Sequence, residues 1–404
     1  MKSIQLVKKY YIGKNNKYYD LLDYYCYMSK NLYNFANYHI RQSFTKDGEY
    51  LNYNKIDKLM KLDENSKDYK NMITAQSAQQ CLKLLDRNWK SFFNAIKDYS
   101  KHKEKYLGRP KLPKYLPKNG RNILIFTNQN CKLKNGYIHF PKKMKGFTIK
   151  TDLQSFQQIR VLPKSSKMII EIVYNKEVEE LKEDNGRYIS IDLGLDNLAT
   201  LTNNCNEPPI ILSGKKIKSI NQYYNKQMSH YKSVAKKMNK LDYTKRMDRL
   251  TNKRNNLIDD LIHKATRKAI DYALSCGVNT IVIGNNKNWK QNSKMSTKVN
   301  QNFISIPHNK LIQQIEYKAK VVGINVIITE ESYTSGTSFL DNELPIKENY
   351  NKNRRIYRGL FVSDKGIKIN SDVNGSLQIM KKVFPNAFSH GIEDYGFNPI
   401  RVNL

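Results

Sequence analysis

The chain has 404 residues and a mass of 47.4 kDa, with Lys+Arg 70 against Asp+Glu 36 for a formal net charge of +34. Two or three domains are the natural expectation at this length, and hydrophobic residues at 39% exclude a disordered basic tail. No stretch approaches the 18 apolar residues of a membrane span, so the charge points to a polyanionic partner rather than a bilayer.

Residues 2–12 read as one strand, and the start lacks the long apolar segment of a secretory leader, which predicts a cytoplasmic protein (bacterial cytosol or nucleoid). From Lys17 the pattern is helical, with Leu21, Leu22, Tyr25, Met28, Leu32, Phe35 and Ala36 at three- and four-residue steps. A short helix is predicted over 56–62 and a stronger one over about 71–98, with Ala78, Leu82, Leu85, Trp89, Phe92, Phe93 and Ile96 as its stripe. Lys83, Arg87 and Lys90 line its other side. Pro110, Pro113 and Pro117 then stop any helix, leaving 108–118 as a basic linker, a domain boundary, or both. Residues 120–175 read as short strands at 123–126, 136–140 and 169–174, which suggests a small barrel or sandwich. The N-terminal strand has no partner among the helices after it, so it should pair here and make the helical block an insertion.

A charged patch over 176–185 links to the second half. Segments 187–191, 197–201 and 209–212 read as strands, the first two as a hairpin-like pair. A long basic helical stretch over about 219–275 follows, interrupted near Asp242. Residues 280–283 form a buried-type strand, 309–322 a helix and 324–329 another strand. Three antiparallel strands followed by alternating helices and parallel strands is the ribonuclease-H-like order, with the helical pair as an insert. The predicted class is therefore multidomain, α+β followed by α/β. Cys26, Cys81, Cys131, Cys205 and Cys276 lie 50 or more residues apart with no CxxC pair, so no structural zinc is expected and a reducing compartment fits.

Three acids stand at element ends. Asp192 closes the apolar run 188–191, Glu331 follows the strand 324–329, and Asp372 precedes a helical run beginning at Leu377. Two-metal phosphodiester hydrolysis needs several carboxylates converging on hard divalent ions, and clustered acids in a basic protein suit that chemistry. Each also has a plainer reading: Asp192 as a strand-end turn residue, and Asp372 as a helix N-cap.

The motif Ile191-Asp192-Leu193-Gly194-Leu195-Asp196-Asn197-Leu198-Ala199-Thr200, the triplet Tyr333-Thr334-Ser335 and Asp372-Val373-Asn374-Gly375 resemble the RuvC-like nuclease motifs of the TnpB family. These are transposon-encoded, RNA-guided DNA endonucleases related to type V CRISPR effectors. The resemblance extends to Leu85–Phe93, Gly108–Lys111 and Ile159–Lys164. It implies a wedge-type β-barrel from 1–14 and 116–182, with a helical recognition domain and basic linker over 15–115. It further implies a RuvC-like nuclease domain over 183–404, carrying the insert at about 219–275. The implied partners are a guide RNA from the transposon end and double-stranded target DNA with a short adjacent motif, read as in other RNA-guided systems. The implied ligands of two Mg2+ ions, with Mn2+ as a substitute, are Asp192, Glu331 and Asp372.

Two departures from the family pattern stand out. Gly284 occupies the position where the family's second acid usually follows a strand, and Asn285 and Asn286 come next. Some relatives carry that glutamate just before the Thr-Ser pair, which implies Glu331, with Glu330 as the alternative. No cysteine follows the Thr-Ser pair either, so 336–366 is expected to keep a vestigial, zinc-free hairpin held by Phe339, Leu340, Ile356, Tyr357 and Leu360. Candidate nucleic-acid contacts are Gln79, Gln80, Lys83 and Arg87 as readers of the adjacent motif, Arg109 and Lys111 in the linker, Lys264 and Arg267 for phosphate, and Arg354, Arg355 and Arg358 for the target strand. The rival readings are a catalytically inactive RNA-guided DNA-binding protein and a DDE-type DNA strand transferase.

Overall fold

In the computed structural model, which describes residues 3–164, 166–239, 242–286, 305–357, 359–389, 391 and 397–404, the chain opens with β1 (Ser3–Gly13), whose exposure alternates along its length. Contacts divide the chain into a first unit, Gln5–Lys176, and a second, Glu177–Leu404 together with the N-terminal residues up to Ile4.

In the first unit, α1 (Tyr19–Asp47) and α4 (Ala75–Lys101) are the long helices, with α2 (Tyr53–Leu62) and the single turn α3 (Lys67–Lys70) between them. Asn52 caps α2 by accepting from the Lys55 N–H, and Thr74 caps α4 by accepting from the Ser77 N–H. That second cap is why the helix begins at Ala75 rather than at 71: a helix starts where an acceptor meets its free amides, and hydrophobic spacing alone does not mark the place. Leu22, Cys26, Leu32, Ala36 and Ile40 of α1 and Ala78, Leu82, Leu85 and Trp89 of α4 are buried. Trp89 donates through Nε1 to Asn37 Oδ1 at 2.9 Å, so its one polar atom is satisfied within the core.

The strands of this unit form two sheets. β1 neighbours β7 (Lys167–Glu177) in the order β1-β7-β6-β2, with β6 (Gln158–Lys164) and β2 (Leu124–Thr127). The other sheet contains β3 (Lys132–Lys134), β4 (Tyr137–His139) and β5 (Thr148–Lys150). One hydrophobic core runs from Ile12 through Trp89 to Ile172, shared by helices and strands alike. The proline-bearing segment is docked along α1. Asn34 exchanges hydrogen bonds with the Leu116 backbone at 2.9 and 2.8 Å, Asn37 donates to the Pro113 carbonyl at 3.1 Å, and Leu112 and Leu116 pack on the core. Prolines leave carbonyls without helical partners, and the asparagines of α1 supply the donors.

The second unit is built on a six-stranded sheet of order β12-β11-β8-β9-β10-β15. β8 (Tyr188–Leu193), β9 (Asn197–Asn203) and β10 (Ile210–Ser213) are antiparallel in succession; β11 (Thr280–Gly284) runs parallel to β8, and β12 (Asn325–Thr329) parallel to β11. α5 (Lys215–Asn239) and α6 (Lys245–Ser275) form the long helical insert, and α7 (His308–Val321) connects toward β12. A hairpin of β13 (Leu360–Val362) and β14 (Lys368–Asn370) leads into α8 (Ser371–Val383). β15 (Ile400–Val402) returns to the sheet parallel to β10, an element the sequence patterns do not announce.

Small hydroxylated residues let α8 lie close over β8 and β9. Ser190 Oγ donates to the Ser376 carbonyl at 2.6 Å, while Ser376 Oγ lies 3.1 Å from the Ser190 carbonyl and 2.9 Å from Thr202 Oγ1. These groups are buried and mutually satisfied, as buried polar atoms must be to avoid a desolvation penalty. Among the described residues, no helix is long and apolar enough to cross a membrane.

Candidate functional site

Because β8, β11 and β12 are parallel, their C-terminal ends open on one side of the sheet, where ligands of such sheets are commonly bound. A cleft of about 510 Å3 lies there, lined by Asp192 near the end of β8, Glu331 just beyond β12, and Asp372 in the first turn of α8. All three are half-buried.

Local chemistry sets each of them. Asn370, not Asp372, caps α8, accepting from the N–H groups of Asp372 and Val373 at 2.9 and 3.3 Å. The Asp372 carboxylate is thereby left to the cleft. At Gly375 an added Cβ would stand 3.2 Å from Asp192 Oδ2, so the bare backbone is what lets α8 close over this carboxylate. At Gly284, where β11 ends, a Cβ would stand 2.9 Å from Glu331 Oε2 and 2.6 Å from Ile379 Cδ1. The Glu331 side chain fills the space that a side chain at 284 would take. Asn286 holds it there, donating to Glu331 Oε1 at 3.2 Å and accepting from the Glu331 N–H at 3.0 Å. Glu330 points elsewhere: its side chain is 65% exposed and lies 3.8 Å from Lys382 Nζ.

The acids of the cluster are near enough to repel one another. Burial raises the proton affinity of Asp192 well above the usual carboxylate range, and repulsion from Glu331 and Asp372 adds to it, with Arg355 opposing. Burial likewise pushes Glu331 up to about 7 against the pull of Lys382. Arg355 Nη2 lies 3.4 Å from Asp372 Oδ1. Asn197 donates to Asp372 Oδ2 at 2.5 Å and accepts from Arg401 at 3.0 Å, and Lys215 also lines the cleft. Among the described residues, no three His, Cys, Asp or Glu side chains are gathered tightly enough to hold one metal ion by themselves. Magnesium keeps several waters and is commonly bound through one or two carboxylates, so an open set of three is compatible with it.

The remaining candidates are dispersed. Gln80, Lys83 and Arg87 line a groove of about 520 Å3 on the first unit, together with Asn52, Asn54 and Lys90. Lys83 sits over the Tyr53 ring, and Gln79 is half-buried nearby on the same helix. Arg109 and Lys111 are exposed on the docked segment. Lys264 and Arg267 pair along α6 with Asp260 and Asp271 at 2.7 and 2.9 Å. Arg354, with its side chain only 10% exposed, is bound to Glu343 at 2.6 and 2.8 Å and to Asp364. It staples the 336–366 segment, where Ile356 and Tyr357 are 61% and 64% exposed and form no hydrophobic clasp. Of the expected clasp, Phe339 and Leu340 do pack, on the cluster of Phe361 and Val373, while Ile356 and Tyr357 stay outside it and the ion pairs of Arg354 hold their end of the segment. Arg358 lies outside the described residues.

Sequence reasoning did not single out Asn197, Gly375 or Arg401. The first two stand inside the quoted motifs, where a polar amide and a glycine beside acids were a usable signal. Arg401 carries none.

With this geometry in view, residues 171–290 match the family described as OrfB_IS605, probable transposase, and residues 308–379 match the Cas12f1-like TNB domain. The TnpB-like protein ORF457 of Acidianus two-tailed virus is 24% identical over 395 residues, covering 88% of this chain and 81% of that protein. Over most of its length the chain is similar to a TnpB-like protein. Among solved structures, the Cas12f1–sgRNA–target DNA complex aligns at 16% identity and a TM-score of 0.37, covering 93% of this chain and 98% of that one. The mini-RNA-guided endonuclease Cas_phi3 aligns at 8% identity and a TM-score of 0.49, covering 94% and 92%. Apart from residues 171–176, both matched stretches fall in the unit that carries the cleft, and together they span β8, β11 and α7 and reach into α8.

Proposed function

We propose that the chain is an RNA-guided DNA endonuclease whose RuvC-like second unit hydrolyses target DNA with Asp192, Glu331 and Asp372 as the metal-binding acids. The observation that carries this reading is the convergence of three carboxylates, from elements far apart in sequence, on one cleft where burial and mutual repulsion hold Asp192 well above the usual carboxylate range despite Arg355. Similarity to a TnpB-like protein and the charge of +34 support it. The partners are a guide RNA from the transposon end and target DNA bearing a short adjacent motif, and the setting is the cytoplasm.

The three carboxylates would hold two Mg2+, or Mn2+ in their place. Bound there, such ions would supply activation of an attacking water and neutralisation of charge on the leaving 3′ oxygen. Asp192, from the rigid central strand, and Asp372, from the capped helix, fix two ligand positions. Glu331 supplies the third from the neighbouring loop, in the space left by Gly284. Lys215 and Arg355 at the cleft wall attract the phosphate backbone, and the groove beside Lys83 and Arg87 offers a second basic surface on the first unit.

The test is cutting of matched DNA by the full ribonucleoprotein with Mg2+. Asp192→Ala is expected to abolish cutting and leave guided binding nearly intact, because the basic surface rather than the acids supplies affinity. Glu331→Gln should lower cutting by more than ~100-fold, beyond the usual cost of losing a residue that only supports a ligand, whereas Glu330→Gln should cut almost normally. Cutting without RNA would sink the guided reading. The second reading is a guided binder without catalysis. Glycine at 284, where the resembled family usually has its second acid, favours it, and guided binding with no nick under Mg2+ or Mn2+ would establish it.

A further inference from the structure

The Asn197 amide stands between two charged groups that reach it from positions 175 and 204 residues away. Its Nδ2 donates to Asp372 Oδ2, and its Oδ1 accepts from Arg401 Nη1. A carboxylate only accepts and a guanidinium only donates, so both neighbours fix the amide in the same orientation. Arg401 is the middle residue of β15, in register with Ile211 of β10, and all three side chains line the cleft. Asn370 fixes the backbone of Asp372; Asn197 fixes its carboxylate.

We infer, resting on the nuclease reading above, that Asn197 is a positioning residue for Asp372 and that Arg401 acts through it, which makes the terminal strand β15 part of the cation-binding apparatus. Hydrogen bonds behind a ligand set its rotamer and basicity, and losing one typically costs 10–100-fold in metal affinity. The competing role for Arg401 is a direct contact to a DNA phosphate. The two roles differ in kind. Positioning is felt by the cation before any DNA is present, whereas a phosphate contact is felt in the salt dependence of DNA binding.

The experiment is calorimetric titration of the full chain with Mn2+, alongside guided DNA binding across a salt series. Asn197→Ala is expected to weaken Mn2+ binding by about tenfold or more, and Arg401→Ala by a smaller factor, with the double variant no worse than Asn197→Ala alone. Arg401→Lys should recover part of the loss, since one donor suffices. Guided binding and its salt slope should stay as in wild type for all of them. The Mn2+ concentration for half-maximal cutting should rise in the same order. Wild-type Mn2+ affinity in Asn197→Ala, even with a lowered melting temperature, would overturn the inference by making the residue merely structural. Multiplying losses in the double variant together with a shallower salt slope would make Arg401 a phosphate contact. Should Asn197→Ala not fold, the pair Arg401→Ala and Arg401→Lys decides the question by the same readouts. A wild type that binds no Mn2+ and cuts nothing removes the nuclease reading and this inference with it, whereas a wild type that does both leaves only the inference at stake.

Discussion

At the scale of single residues, the site is held in a configuration that the fold alone disfavours. Glu331 moves from the ordinary 4.5 to about 7 because it is buried, and Asp192 is raised well above its ordinary value by burial and by its two acidic neighbours. A carboxyl whose folded pKa is raised contributes stability that is present below the unfolded value and lost as pH rises through the folded value. For Glu331 that window runs from 4.5 to about 7, and the loss is about 3 kcal/mol. Metal-free protein should therefore melt lower at pH 8 than at pH 5.5. Asp192→Asn should melt several degrees above wild type at pH 8, and Mg2+ should raise the wild type but not the variant; thermal melts across pH read all three. An Asp192→Asn protein that melts lower at pH 8 would mean the carboxylate is a stabilising partner after all. Gly284→Ala gives the steric counterpart. Its methyl meets Glu331 and Ile379, so cutting should fall about tenfold with guided binding unchanged, and normal cutting would show that Glu331 has room to move. Asp192 and Asp372 were legible as candidates because a strand end and a helix start are local patterns. Arg401 was not, and Asn197 showed only as an amide beside acids, since the roles of both come from contacts across nearly half the chain.

At the scale of elements, the segment between Thr334 and α8 is where local pattern misled. Phe339, Leu340, Ile356, Tyr357 and Leu360 look like a small hydrophobic clasp, yet Ile356 and Tyr357 face solvent. Too few apolar neighbours exist to bury them, whereas Arg354 meets both Glu343 and Asp364 and brings 343, 354 and 364 to one point. The fork of the guanidinium satisfies two carboxylates at once, which no sequence spacing reveals. Arg354→Leu leaves Glu343, whose side chain is only 17% exposed, without its counter-charge, at a cost of about 3–5 kcal/mol if the loss is fully felt. The expected outcome is faster protease cleavage within 339–364, detected by mass spectrometry, while the first unit stays resistant. Cleavage at the wild-type rate would show that the contact of Phe339 with Phe388 and Phe361 carries the segment unaided. The same lesson applies to α4, where the hydrophobic stripe was plain but the start was set by a threonine cap.

At the scale of the whole molecule, each unit buries its own core. The cluster from Ile12 to Ile172 lies wholly within the first unit, and those containing Ile189, Phe361 and Met228 lie within the second. The border at Lys176 coincides with the start of the charged stretch over 176–185, a division that composition marks because a run of charges cannot join a core. Inside the first unit, composition suggests a second border at the prolines. There α1 instead supplies hydrogen-bond donors to the segment, and packing crosses it. A chain of about 150 residues with one core buries roughly 70% of its surface on folding, enough for independent stability. Residues 1–176 expressed alone should therefore unfold in a single cooperative transition, with helix and sheet signals melting together. If the helices lost structure at a lower temperature than the sheet, the shared core would not be the unit of stability and the proline segment would be a boundary in energy as well as in sequence. This fragment should also bind RNA and DNA, with an affinity that falls steeply as salt rises, and should cut neither, since it lacks all three acids of the cleft.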